Sequence, residues 1–230
     1  AIGAENVKLV SLPTQYNSPE TKSDARLLAD HLDCQLSEYS IETLRKEMDG
    51  SLQEINGDKL SDVTEQNIQA RLRGMILMGL ANQNNGLLLT TGNKSELAMG
   101  YATLYGDMCG GLNLIGDLFK TEVVALARYL NKDREWIPKR IIERPPTAEL
   151  RHDQLDSDTL PEYDKLDRVL TQRMIENMPL SQIRKLNDNI NVDNIMERLQ
   201  RNEFKRWQSP PVLKISSKSF GRGWQFPIVT

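Results

Sequence analysis

The sequence predicts an open α/β fold, with parallel strands separated by helices and a helical C-terminal part. Three observations carry that prediction. Short apolar runs at residues 7–12, 35–41 and 87–91 alternate with segments of helical periodicity, the order expected of a layered α/β sheet. The third run, LLLTT, is apolar without alternation, as suits a strand covered on both faces. With 230 residues, one domain is the expected count, and such a chain removes roughly 70% of its unfolded surface from water.

In chain order, residues 7–12 (VKLVSL) read as a strand ended by Pro13. Residues 14–21 are polar and read as loop. Ser23 or Asp24 caps a helix running to Leu32, with Ala25, Leu28, Ala29 and Leu32 as its apolar stripe. Residues 35–41 fit a second strand. Residues 41–48 form a short helix stopped at Gly50, and residues 51–60 a polar surface connection. Asp62 and Glu65 have capping-box spacing and open the strongest helix. Its Ile68, Leu72, Met75, Ile76, Gly79 and Leu80 share one face. Residues 82–86 end it, and residues 87–91 form the third strand. A further amphipathic helix covers residues 120–130. Residues 144–161 (RPPTAELRHDQLDSDTLP) read as a long mobile loop, of a kind usually functional or disordered. Helical patterns follow at residues 163–175, 181–186 and 192–207. The tail is expected to pack back onto the domain. There is no internal repeat.

Composition narrows the function classes. The net charge of -3 and pI near 5.6 give no electrostatic case for a nucleic-acid or membrane partner. No apolar run approaches the roughly 20 residues that span a bilayer. The opening AIGAENVKLV lacks the basic flank and apolar core of a signal peptide. Cys34 and Cys109 are far apart, which suits reduced thiols in a cytoplasmic protein. His31 and His152 are isolated, show no zinc-site spacing, and read as structural or surface residues.

Ligands of open α/β sheets bind at the carboxyl ends of the strands, where Leu12-Pro13 and Thr91-Gly92 fall. Gly92 permits close backbone approach to a ligand. Glu96 has two readings. With Asn93 it has capping-box spacing; it also suits a Mg²⁺ ligand, since Mg²⁺ near phosphates takes one or two protein carboxylates. Residues 106–111 (GDMCGG) form a Gly-rich loop lacking the Walker lysine and the G-x-G-x-x-G spacing. Lys120 opens a helix, where the dipole disfavours a cation, a conflict pointing either to a phosphate-holding role or to an ordinary surface lysine. Asn67 and Arg71 share a helix face beside the apolar stripe. Arg71 either clamps an anion or is solvated. Thr147, after Pro145-Pro146, is open between loop chemistry and a simple turn.

The residues TTGNKSELAMGYATLYGDMCGG followed by DLFKTEV resemble the signature of the NAD⁺ synthetase family, in its glutamine-dependent branch. The resemblance extends to GAENVKLVSLP, NIQARLR, the 144–164 segment and EFKRWQSPPVLK, and so covers nearly the whole chain. It implies a Rossmann-like open parallel sheet of the ATP-pyrophosphatase (adenine nucleotide alpha hydrolase-like) type and a homodimer or higher oligomer. It also implies a ligase forming a C–N bond. ATP adenylates the nicotinate carboxylate of deamido-NAD⁺, and ammonia, supplied from glutamine by a glutaminase domain, displaces AMP. By motif, Leu12, Pro13, Thr91, Lys120 and Thr147 resemble ATP contacts. Asn67, Arg71, Glu96, Tyr101, Ala102, Thr103, Leu104 and Lys205 resemble deamido-NAD⁺ contacts, and Glu96 the Mg²⁺-linked carboxylate. Leu104 stands where the ammonia-only branch carries lysine.

One departure is large. The family's S-G-G-x-D-S pyrophosphate loop and its glutaminase domain do not occur in this sequence. The chain is therefore expected to be an N-terminally truncated synthetase domain over residues 1–230, inactive or nearly so alone, with apolar surface exposed where an inner strand is missing. Another ATP-pyrophosphatase amidotransferase and a non-catalytic nucleotide-binding module stand as alternatives.

Overall fold

Parallel strand pairing is present, and a helix makes the first crossover. In the computed structural model, which describes residues 2–221 and 223–228, β1 (Lys8–Ser11) lies parallel to β2 (Gln35–Glu38) with Leu9 opposite Leu36. The connection is α1 (Pro19–His31), the helix that a parallel pair needs. Its cap is Ser18, whose Oγ accepts the Thr21 N–H at 3.1 Å, with Pro19 in the first turn. The helix thus starts earlier than the expected Ser23 or Asp24. Ser-Pro is the stronger start signal, and the buried Asp24 carboxylate is instead paired with Arg140.

Gly50 does not stop the next helix. α2 runs from Glu42 to Asn56 and ends at Gly57, which takes the left-handed conformation at φ 77°. Residues 51–56, expected as a surface connection, are helical. Arg45 bridges Glu42 at 2.7 Å and Asp49 at 2.5 Å, holding the helix together across the turn before the glycine. Gly50 is exposed, and a Cβ there would meet nothing. Gly50→Ala is therefore expected to raise stability by about 0.5–1 kcal/mol, seen as a higher urea midpoint at unchanged slope. A lower midpoint would mean that the helix breaks there.

α3 (Asp62–Gln83) follows. Its cap is Ser61, whose Oγ accepts the Thr64 N–H at 3.3 Å, one residue before the expected Asp62. Ile68 and Leu72 are buried with Leu12 and Ile41, and Val10, Ile76 and Leu77 pack against them. Met75 and Leu80, on the same predicted face, are 63% and 40% exposed. Only the first half of that stripe forms core.

The chain divides into two compact units, Ala1–Leu77 with Ala125–Asp158, and Met78–Val124 with Thr159–Thr230. In the second, β3 (Leu89–Thr90) lies parallel to β4 (Leu112–Asn113). Among the described residues the strands thus form two separate parallel pairs rather than one sheet. Leu87 is 64% and Leu89 40% exposed, so the double cover expected of the third run is not present among these residues. α4 (Lys94–Met99) comes next, then α5 (Lys120–Leu130), which has the predicted bounds and whose residues from Ala125 on belong to the first unit. The first unit holds α6 (Lys139–Glu143). The second is completed by α7 (Tyr163–Met174), α8 (Leu180–Leu186), α9 (Val192–Arg201) and α10 (Glu203–Arg206). The single helix expected over 192–207 is interrupted at Asn202, whose Nδ2 donates to the Arg198 carbonyl at 2.8 Å, local side-chain bonding that competes with the helix ladder.

The larger core lies in this second unit. Leu97, Ala98 and Met99 of α4 pack with Leu166, Val169, Leu170 and Met174 of α7 and with Ile195 and Leu199 of α9. Phe220 is buried there, and Trp224 and Phe226 pack against it, so the tail does return to the core. No described helix is long and apolar enough to cross a membrane.

Candidate active site

Glu96 and Lys120 meet in the second unit. α4 opens with a full capping box: Asn93 Oδ1 accepts the Glu96 N–H, and Glu96 Oε2 accepts the Asn93 N–H, each at 3.0 Å. The capping reading of Glu96 is therefore right, and it involves one carboxylate oxygen. The other, Oε1, lies 3.7 Å from Lys120 Nζ. Both side chains keep solvent access, at 20% and 26% exposure. Lys120 Nζ also stands 5.6 Å from the centre of the Tyr163 ring, within reach of its negative face. Thr91, exposed, is the residue after β3, three before α4 begins.

The helix starts that carry this pair are held from behind. Ser95 Oγ accepts the Lys120 N–H at 2.9 Å and donates to Asp167 Oδ1 at 2.5 Å. Asp167 Oδ2 accepts the Thr121 N–H at 2.9 Å and its hydroxyl at 2.8 Å. Burial pushes the Asp167 carboxyl above its usual range, against these hydrogen bonds. Lys94, the first residue of α4, is fully buried, as is Asp117. Lys94 Nζ donates to Asp117 Oδ1 at 2.7 Å, to Ser216 Oγ at 2.9 Å and to the Lys218 carbonyl at 2.7 Å. Asp117 Oδ2 accepts the N–H groups of Ile215 and Ser216 at 2.8 and 2.6 Å. Burial alone would push Asp117 upward; the hydrogen bonds from Lys94, Ser216 and Ile215 outweigh it and hold the carboxyl below its usual range.

At the far end of α4, Gly100 takes the left-handed conformation and leads into residues 101–104. Lys205 of α10 donates from Nζ to the carbonyls of Gly100 and Ala102, both at 2.8 Å. Burial pushes its ammonium pKa down, with Asp107 opposing. Asp107 Oδ1 accepts the Thr103 N–H at 2.6 Å. The structure thus brings Tyr101, Ala102, Thr103 and Leu104 together with Lys205. The Gly-rich loop packs on β3: Thr90 Oγ1 donates to the Cys109 carbonyl at 2.6 Å, and a Cβ at Gly110 would collide with that hydroxyl.

The first unit holds the other predicted residues. Leu12 is buried, and its carbonyl accepts Arg73 Nε at 2.9 Å. The Pro13 carbonyl accepts the Ile41 N–H at 3.1 Å. Asn67 is half-buried and Arg71 exposed on α3. The loop expected to be mobile is pinned. Thr147 Oγ1 donates to the Gln154 carbonyl and accepts the Glu149 N–H at 3.1 Å. Gln69 Nε2 donates to the Leu150 carbonyl at 2.8 Å, and Thr21 Oγ1 to Glu149 at 2.6 Å. Thr147 therefore spends its hydroxyl inside its own loop.

Sequence reasoning missed Lys94, Ser95, Asp117 and Asp167. The first two lie in a polar stretch that reads as an exposed first turn, and their partners are 23 and 72 residues away.

The family model described as NAD synthase matches residues 1–209. The chain belongs to the NAD synthase family. Its relatives include glutamine-dependent NAD(+) synthetases of Thermotoga maritima, 42% identical over 99% of this chain, and of Acinetobacter baylyi, 43% identical over all of it. The chain spans 40% and 43% of their lengths, about two fifths of the curated relatives it matches. Among solved structures, the glutamine-dependent NAD+ synthetase of Acinetobacter baumannii in complex with ADP is 36% identical, with a TM-score of 0.61 over 99% of this chain and 41% of that one. The NMN synthetase of Francisella tularensis is 27% identical, with a TM-score of 0.68 over 86% and 73%. These likenesses agree with the α/β fold of parallel strands read from the sequence.

The donor set bears on a metal. Among the described residues no three His, Cys, Asp or Glu gather as a metal cluster. Glu96 keeps solvent access beside Lys120, and Mg²⁺ near phosphates takes one or two protein carboxylates, so Glu96 is the residue that would hold such an ion.

Proposed function

We propose that this NAD synthase chain carries the synthetase chemistry of a glutamine-dependent NAD⁺ synthetase. Its substrates are ATP, deamido-NAD⁺ and ammonia; its products are NAD⁺, AMP and pyrophosphate. The observation that carries the reading is the Glu96–Lys120 pair, 3.7 Å apart on the first turns of two helices, in a chain matched to the family over residues 1–209. A carboxylate is a poor acyl donor, because it has no good leaving group. Adenylation breaks the α–β phosphoanhydride, forms a carboxyl–phosphorus bond and provides AMP as leaving group; ammonia then forms the amide. Lys120 binds the departing phosphates, where a fixed cation stabilises developing charge. Glu96 holds Mg²⁺, which supplies further charge neutralisation on the phosphates when bound. Residues 101–104, fixed by Lys205, form the acceptor wall for deamido-NAD⁺. On the family resemblance, Asn67 and Arg71 are further deamido-NAD⁺ contacts, and Thr91, Leu12, Pro13 and Thr147 are ATP contacts. Ammonia comes from a glutaminase domain, and the assembly is a homodimer or higher oligomer in the cytoplasm.

The test incubates the full-length protein that contains this chain, since the chain alone is expected to be inactive or nearly so, with Mg-ATP, isotopically labelled ammonium and either deamido-NAD⁺ or the corresponding acid mononucleotide. Mass spectrometry should show labelled NAD⁺ and AMP in equal amounts. Labelled mononucleotide in preference to NAD⁺ would replace the acceptor with that of the Francisella tularensis neighbour. AMP release with neither acceptor would overturn the proposal.

A further inference from the structure

The start of α5 is only half capped by its own residues: Glu122 Oε2 accepts the Phe119 N–H at 2.7 Å. Phe119 is the residue before the helix, and its carbonyl accepts the Val123 N–H at 2.9 Å, but a phenylalanine side chain cannot satisfy the open N–H groups that follow. Those of Lys120 and Thr121 are met by Ser95 of α4 and Asp167 of α7, at 2.9 Å each. Ser95 is fully buried and Asp167 is 3% exposed, and Ser95 is the residue immediately before Glu96. The two side chains are joined by their own 2.5 Å hydrogen bond. One short chain of bonds therefore links the backbone of the helix bearing Lys120 to that of the helix bearing Glu96. The arrangement also answers the dipole conflict at Lys120. A cation at a helix N-terminus is disfavoured, and carboxylates at the same terminus offset it: Glu122 from α5's own first turn and the buried Asp167 from α7. Asp167 does so without occupying the exposed side on which Lys120 meets Glu96.

We propose that Asp167 and Ser95 are positioning residues that cap α5 from two other helices and thereby fix Lys120 opposite Glu96. Neither is placed against substrate; both act through Lys120. The inference rests on the phosphate-binding role proposed for Lys120, and the measurements separate the two.

The experiment compares Asp167→Asn, Ser95→Ala, Lys120→Ala and the two doubles with Lys120→Ala, in the protein as encoded. Asn keeps the shape of Asp167 but has a single acceptor oxygen, so either Ser95 or Thr121 faces an NH₂ in place of an acceptor. Either single cap variant should lower kcat/KM for ATP by roughly 10- to 100-fold, the size of effect produced by small misplacement of a catalytic group. On the Lys120→Ala background the same change should do little, within about twofold, because the group being positioned is gone. Losses that multiply in the doubles would show a general structural role and overturn the proposal, as would unchanged ATP kinetics in both singles. If Asp167→Asn fails to fold, the Ser95→Ala cycle decides alone. Amide hydrogen exchange gives the independent readout: residues 120–122 should lose protection by about tenfold or more in the cap variants while α9 keeps its own. Unchanged protection there overturns the cap. If exchange responds but Lys120→Ala leaves ATP kinetics intact, the function assigned to Lys120 fails and the positioning proposal fails with it, while the cap itself stands.

Discussion

Lys94→Met is expected to destabilise the protein by about 3–5 kcal/mol, the usual consequence of removing one member of a buried, hydrogen-bonded ion pair. The reason is the charge left behind. Asp117 is 1% exposed; without Lys94 its carboxylate keeps the Ser216 and Ile215 hydrogen bonds but loses the only cation it contacts among the described residues. Lys94 also holds the Lys218 carbonyl, so the returning tail loosens as well. Urea denaturation of the single variants and of Lys94→Met/Asp117→Leu measures this. The double should lose less than the sum of the singles, because no unpaired charge remains; strict additivity would show that the two side chains do not act as a pair. The same pair sets a pH signature. Asp117 is held below its usual range in the folded state, so its contribution is present above the unfolded carboxylate pKa, about 3.9, and is lost as pH falls through the lower folded value. The stability gap between the natural protein and Asp117→Asn should therefore be full at neutral pH and shrink in acid; a gap that widens in acid would contradict the geometry.

What the sequence shows and hides follows the range of each interaction. The Asn93–Glu96 capping box and the bounds of α5 are set by residues within a few positions of one another, and both are legible. Gly50 misleads because a single glycine costs a helix only about 1 kcal/mol, a weak stop signal beside Gly57, which takes the left-handed conformation that ends the helix. Ser18 is legible in retrospect from Ser-Pro, but Ser23 and Asp24 sit closer to the apolar stripe. Lys94, Ser95 and Asp167 are a different case. Nothing local marks them, since their burial depends on α7 and the tail reaching α4 through more than 70 residues of intervening chain. The stripe of α3 fails at Met75 and Leu80 because periodicity shows which residues share a face, not whether anything covers it. At Glu96 the capping box is legible in the Asn93–Glu96 spacing, whereas the approach of its second oxygen to Lys120, 24 residues on, is not.

That division makes Glu96→Gln the sharpest probe of the candidate site. Glutamine at the third helical position still completes a capping box, so the Oε2 contact to the Asn93 N–H survives in kind and stability should change by less than about 0.5 kcal/mol. The charge facing Lys120 does not survive. With it goes the carboxylate assigned to Mg²⁺, and kcat/KM for ATP should fall by about 10²–10³-fold, the scale seen when one preorganised electrostatic contact to a reacting group is removed. Lys120→Ala should fall as far, through loss of the cation itself. Glu96→Ala provides the contrast: it removes both oxygens, so the same activity loss should come with about 0.5–2 kcal/mol of lost stability from the broken cap. Thermal melts and initial rates on the three variants decide between the readings. Full activity in Glu96→Gln would reduce Glu96 to a cap; full activity in Lys120→Ala would remove the phosphate role of Lys120. A Glu96→Gln protein as unstable as Glu96→Ala would show that the carboxylate, not the capping geometry, holds α4 in place.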